Sequence, residues 1–132
     1  MKTIFVNGCF DILHRGHFEL FEHARALGDQ LIVAIDSDEK IKKDKGPARP
    51  FNTMIDRQYA LSRLVDIDTV LTFNTTKGLE DLICAIKPDI MVVGSDWRDK
   101  TIVGAQFAKE IKFFERIDGY STTKIIQGAG FR

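Results

Sequence analysis

Short runs of consecutive apolar residues alternate along the chain with stretches in which apolar residues recur every three or four positions. Thr3 to Val6 is the first run, ended by Asn7-Gly8, and predicts a buried strand. From Gly16 onward Phe18, Leu20, Phe21, Ala24 and Leu27 recur at helical spacing, which predicts a helix with one apolar face. Gly28 stops it, as a residue that tolerates positive φ beyond a helix end. Residues 31–35 are apolar without interruption, as parallel strands buried on both faces tend to be. Residues 36–52 are polar and broken by Gly46, Pro47 and Pro50, predicting a short helical piece over 38–43 and then a loop. Met54, Ala60, Leu61 and Leu64 predict the next helix, and residues 68–73 a third strand. Leu79, Leu82, Ile83 and Ile86 give another helix, closed by Pro88. Residues 90–93 form a fourth strand, ended by Gly94. Residues 103–111 read as a helix, 112–114 as a short fifth strand, and 122–127 as a last helix.

Strands alternating with helices mean βαβ units. The fold class is therefore α/β: a Rossmann-like single domain over residues 1–132, with a five-stranded parallel sheet and helices on both faces. In such sheets ligands sit outside the carboxyl ends of the strands. Residues 7–10, 36–38, 73–74 and 94–97 then share one rim. The length of 132 residues suits one domain. Nineteen basic side chains balance nineteen acidic ones, which argues against a dedicated partner among nucleic acids or anionic membranes. Cys9 and Cys84 are isolated, so neither a disulfide scaffold nor a structural zinc site is expected. No apolar run reaches 18 residues, and the apolar start is too short for a signal segment. The expected location is the cytoplasm.

The sharpest feature is Gly8-Cys9-Phe10-Asp11-Ile12-Leu13-His14-Arg15-Gly16-His17, which follows the first strand and opens the first helix. Histidines three residues apart at a helix start face one side. The backbone N–H groups and positive end of that helix make an anion site. Gly16 removes a side chain where a phosphate would press on the backbone. Asp11 offers a carboxylate to a magnesium ion shared with phosphates. Imidazoles here can donate hydrogen bonds to phosphoryl oxygens as charge builds. A zinc site from His14, His17, Asp11 and Cys9 is disfavoured, because a third strong ligand at proper spacing is missing. Taken alone, the two histidines would be ordinary capping or surface residues.

HxGH at this position, with GxFD before it, resembles the cytidylyltransferase-like branch of the nucleotidyltransferase superfamily. A second mark lies near the far end, where residues 116–125 are similar to that family's RxxGxSTTxI segment. The resemblance implies direct transfer: a phosphate or phosphonate oxygen of an acceptor attacks the α-phosphorus of a nucleoside triphosphate, and pyrophosphate leaves. It implies that His14 and His17 stabilise the pentacoordinate phosphorus and the leaving group. Ser121 and Thr122 would hold the β- and γ-phosphates, with Arg116 adding fixed charge. Lys45, with Lys42 and Lys43 as alternates, would close over the triphosphate. Gly8, Cys9, Phe10, Asp11 and Gly16, together with Gly94, Asp96 and Trp97, would line the nucleotide, and Asp36 and Arg57 the acceptor. Mg²⁺ is the implied cofactor.

Residues 94–100 are similar to the GDDWxGK segment of glycerol-3-phosphate cytidylyltransferases, which use CTP. Residues 7–11, the loop from Lys45-Gly46 to Arg49-Pro50, and residues 102–105 instead resemble the adenylyltransferase domain of heptose-phosphate enzymes. The balance favours ATP with a phosphorylated sugar as acceptor, and CTP as the alternative. The family commonly dimerises, so a homodimer is expected. A rival of another class is a nucleotide-binding module without catalysis.

Overall fold

Residues 1–115 are described in the computed structural model; the helix expected over 122–127 lies outside them. Five strands, β1 (Thr3–Gly8), β2 (Gln30–Asp36), β3 (Thr69–Phe73), β4 (Ile90–Gly94) and β5 (Glu110–Phe114), form one sheet in the order β3-β2-β1-β4-β5. Every pairing is parallel, as the alternation of patterns predicts. The connecting helices are α1 (Arg15–Ala26), α2 (Asp38–Lys45), α3 (Met54–Ser62) and α4 (Thr76–Ile86). The chain starts in the middle of the sheet, builds outward through β2 to β3, and returns to lay β4 on the other side of β1. The crevice between the carboxyl ends of β1 and β4 is therefore the point where strand order reverses.

The unbroken apolar runs follow from burial on both faces. Alternate side chains of a strand point to opposite sides, so Ile4, Val6, Leu31, Val33 and Ile35 pack with Phe21 and Ala24 of α1 and Leu61 of α3. Phe5, Ile32, Ala34 and Met91 pack with Leu79 and Ile83 of α4 on the other side. At the amino end of the sheet three aspartates stitch neighbouring strands together. The N–H of Lys2 donates to Asp29 Oδ2 at 2.7 Å, that of Thr3 to Asp89 Oδ2 at 2.8 Å, and that of Leu31 to Asp68 Oδ2 at 2.8 Å.

Two expectations are corrected. Residues 103–111 are not a helix: a 3-10 turn spans Ala105–Phe107 and β5 already begins at Glu110. Gly104 adopts φ +79, which an α-helix cannot contain, and a Cβ there would lie 2.5 Å from Ile83 Cδ1. Ile102, Val103, Phe107 and Ile111 mimic a helical period while packing from a turn and then a strand. Gly28, for its part, is not among the left-handed glycines of the described residues, which are Gly46 and Gly104. Its need is for room, since a Cβ would sit 2.8 Å from the Lys2 carbonyl oxygen and 2.9 Å from the Ile4 side chain. Among the described residues no helix is long and apolar enough to cross a membrane.

The Thr3 N–H, followed by the Lys109 ammonium at 3.1 Å, holds the Asp89 carboxyl below the usual carboxylate range. A folded-state value below the unfolded one means stabilisation that is present above the unfolded pKa and lost as pH falls through the folded one. Asp89→Asn is expected to lower the thermal midpoint at neutral pH and to converge with the unsubstituted protein in acid. A gap that stays constant from neutral to strongly acidic pH would contradict the role of the charge.

Candidate active site

The carboxyl end of β1 runs into a turn and then α1, and the two histidines close that helix start. His14 is the N-cap, with extended backbone, and its Nδ1 accepts from the Gly16 N–H at 3.1 Å. His17, three residues on, returns the bond: its Nδ1 accepts from the His14 N–H at 3.2 Å. This is a capping box built from imidazoles instead of a hydroxyl and a carboxylate. The rings stack, with centroids 3.9 Å apart and planes 28° from parallel. A ring nitrogen that accepts an N–H carries no proton, so each neutral imidazole holds its proton on Nε2 and is a donor there. Two stacked Nε2–H donors at the positive end of a three-turn helix suit the oxygens of a phosphoryl group. The bland reading of these residues as helix caps and the reading as phosphate donors are thus one geometry.

Phe10 precedes them with φ +47, a left-handed backbone rare for a bulky side chain and costing of order 1–3 kcal/mol. Its ring is buried, meeting His17 edge-on at 5.3 Å and Phe21 at 5.0 Å. The ring crowds Gly8, where a Cβ would lie 3.0 Å from Phe10 Cζ and the ring would have to give by a few tenths of an ångström. Lys45, the last residue of α2, reaches the same turn, its Nζ 3.2 Å from Cys9 Sγ. The cysteine thus gains the basic neighbour that its sequence context does not show. Gly94 ends β4, and Asp96 and Trp97 follow in a 3-10 turn with Trp97 41% exposed. Lys100 Nζ lies 5.0 Å from the centre of the Trp97 ring. Arg116, Ser121 and Thr122 lie outside the described residues.

Two assignments change. Asp11 was expected to hold magnesium, but its side chain is fully buried and both oxygens are taken. Oδ2 accepts the Phe51 N–H and Oδ1 the Asn52 N–H, each at 2.7 Å, and Arg49 Nε stands 3.4 Å from Oδ2. Asn52 Nδ2 donates to the Asp11 carbonyl at 2.6 Å. A carboxylate so committed does not fit a hydrated magnesium ion, which needs an open oxygen. Among the described residues no group of three or more His, Cys, Asp or Glu is placed to hold a metal. Arg57 was expected to face the acceptor's phosphate, yet its side chain is also fully buried. Nε donates to the Asn52 carbonyl at 3.1 Å, and Nη1 to the carbonyls of Cys9 at 3.0 Å and Asp36 at 2.9 Å. Nη2 meets Asp38 Oδ1 at 2.8 Å. Arg57 is a clamp that joins the ends of β1 and β2 to the loop before α3.

Asp36 ends β2, and its carboxylate lies 3.4 Å from Lys40 Nζ, which also bonds Asp44 at 2.6 Å. Burial opposes the charge on Lys40, but the Asp44 hydrogen bond and the Asp36 carboxylate outweigh it and raise its pKa. The structure thus gathers His14, His17, Phe10, Cys9 and Lys45 around one turn, with Asp11 and Arg57 beneath it as scaffold. Asn52 has no mark in the sequence, and Asp38 and Arg49, placed there on the rim and in the 45–50 loop, carry no sign of a scaffold role. Their partners are Asp11, Arg57 and the Met54 N–H, most of them far along the chain, which leaves no local spacing to notice.

The cytidylyltransferase-like family pattern matches residues 5–128. The chain is 46% identical over 126 residues to the bifunctional protein HldE of Sulfurimonas denitrificans and 47% identical to that of Helicobacter hepaticus, in each case over 96% of this chain and 26% of the relative. It therefore spans about a quarter of the length of the curated relatives it matches. In fold it is similar to a lipopolysaccharide core biosynthesis protein from Thermoplasma volcanium, with TM-score 0.73 and 23% identity over 89% of this chain and 99% of the other. A protein of unknown function from Archaeoglobus fulgidus superposes with TM-score 0.62 and 20% identity over 89% of this chain and 90% of the other.

Replacing Arg57 by methionine takes the donor from three backbone carbonyls, while Asp38, 36% exposed, keeps the Met54 N–H. Loss of about 1–3 kcal/mol of unfolding free energy is expected, the cost of leaving a buried hydrogen-bonding group unsatisfied. Urea denaturation measures it. Full stability combined with a raised acceptor KM would return Arg57 to the role of ligand contact.

Proposed function

The chain belongs to the cytidylyltransferase-like family of nucleotidyltransferases, and we propose that it transfers a nucleoside monophosphate from a nucleoside triphosphate, ATP in preference, to a phosphorylated sugar of the heptose-phosphate type. The observation that carries this reading is the stacked His14–His17 pair at the start of α1, beside the reversal of strand order.

A phosphate oxygen of the acceptor attacks the α-phosphorus as the bond to the bridging oxygen of pyrophosphate breaks. The attacking oxygen is already ionised near neutral pH, so no protein base is needed. Negative charge grows on the phosphoryl oxygens and the leaving group, where the Nε2–H groups of His14 and His17 and the Lys45 ammonium are donors that need no reorganisation. Gly8, Cys9, Phe10 and Gly16 contribute backbone to the phosphate cradle, and Gly94, Asp96 and Trp97 wall the nucleoside at the end of β4. Ser121, Thr122 and Arg116 are assigned the β- and γ-phosphates, and Asp36 the acceptor. Mg²⁺ would enter with the triphosphate, the Asp11 carboxylate being already committed to the N–H groups of Phe51 and Asn52. A homodimer in the cytoplasm is the expected setting.

The preference for ATP and a sugar phosphate rests on residues 7–11, the 45–50 loop and residues 102–105, which resemble heptose-phosphate adenylyltransferases. Residues 94–100 favour a second reading, CTP with glycerol 3-phosphate. Pyrophosphate release, with four nucleoside triphosphates screened against heptose 1-phosphate, glycerol 3-phosphate and related phosphate esters, decides between them. Release with ATP and the heptose phosphate is expected. Triphosphate binding with no release on any acceptor would leave a binding module. His17→Ala is expected to lower kcat by about 10²–10³-fold, the loss typical of one preorganised donor, and to cost about 1 kcal/mol of stability through the broken cap. Unchanged kcat would remove His17 from the machinery.

A further inference from the structure

Phe10 occupies a backbone conformation in which glycine would be relaxed, yet the chain keeps a large aromatic ring there. That ring cannot be explained by a nucleotide contact, because only 7% of the residue is exposed. It is held from three directions. Phe21 meets it at 5.0 Å with planes 65° apart, Gly8 leaves no side chain above Cζ, and the ring of His17 stands against it at 5.3 Å and 85°. An edge-to-face pair fixes the tilt of both rings, since positive edge hydrogens lie against a negative face. From His17 the constraint passes on, because its Nδ1 receives the His14 N–H and the His14 ring stacks on it at 3.9 Å.

We propose that the Phe10 side chain is a positioning residue for the proposed transfer: its strained backbone presents the ring so that it holds the His17 imidazole in the orientation and Nε2–H tautomer that donates to the phosphoryl group. The left-handed φ is what turns the side chain back under Gly8 and toward α1, so strain and function belong to one arrangement. Without the ring, the His17 imidazole rotates about its side-chain torsions, and its bond to the His14 N–H is intermittent. The effect falls on turnover and not on binding, because the donors matter most when charge develops in the transition state.

The kinetic part rests on the nucleotidyl-transfer reading; the spectroscopic part does not. Phe10→Leu keeps a Cβ, the left-handed backbone and most of the apolar volume but removes the ring. Leu31→Ala is the control, a truncation in the same apolar core at the amino end of β2. Expected for Phe10→Leu is a kcat at least tenfold lower with both KM values within threefold. For Leu31→Ala, kcat within threefold of the unsubstituted protein is expected even where its thermal midpoint falls further. In long-range ¹H–¹⁵N spectra of the ligand-free proteins, the His17 ring signals move from the Nε2–H pattern toward tautomer averaging in Phe10→Leu and stay in place in Leu31→Ala. Parallel losses of kcat in the two variants, or an unmoved His17 pattern in Phe10→Leu, would overturn the proposal. If no substrate pair supports turnover, the His17 pattern in Phe10→Leu alone decides it.

Discussion

Two backbone N–H groups at the start of α1, those of His14 and Gly16, have no helix carbonyl to meet, and the way they are satisfied sets the chemistry of the ligand end. The other three α-helices of the described residues use hydroxyls for this purpose: Ser37, Thr53 and Thr75 cap α2, α3 and α4. A hydroxyl would cap α1 as well. An imidazole does something more, because a neutral ring that accepts the backbone hydrogen on one nitrogen carries a donor N–H on the other. At α1, alone among the four α-helices of the described residues, imidazoles replace the hydroxyl, and the proposed function would draw on the same bonds that hold the helix start.

Beneath that pair, charge is buried to hold backbone and not ligand. Asp11 accepts the N–H groups of residues 51 and 52, and Arg57 donates to the carbonyls of residues 9, 36 and 52. These groups would be costly in an apolar core if unpaired. Each instead ties segments that only the folded chain brings together, so the turn before α1, the end of β2 and the loop before α3 form one unit. Donors held by such a unit need not reorganise when charge appears, which is the condition for electrostatic stabilisation. Lys45 sits at the margin of this unit, as the last residue of a short helix and before Gly46, whose φ is +102.

Much of this is legible in the residues. Uninterrupted apolar runs in β1, β2 and β4 require burial on both faces, hence a parallel sheet covered on both sides. The three-residue spacing of His14 and His17 at a helix start puts their rings together before any coordinates are known. Other features are invisible for physical reasons. The helix expected over 103–111 fails because the left-handed backbone at Gly104 is set by the approach of Ile83, a contact between distant segments. Asp11 and Arg57 look like ligand contacts because a charged side chain in a motif carries no sign of whether a phosphate or a carbonyl will meet it. The strained backbone of Phe10 has no signature in sequence at all.

The proposed transfer requires both imidazoles to be neutral Nε2–H donors that meet a triphosphate. Long-range ¹H–¹⁵N spectra of the intact protein, recorded while a magnesium–triphosphate complex is added, test this most directly. His14 and His17 should both show the Nε2–H pattern with a hydrogen-bonded Nδ1. Both should shift at Nε2 on titration, while His23, exposed beside Phe114 on the outer side of α1, stays still. A proton on Nδ1 of either ring, or a titration that leaves both unmoved, would contradict it.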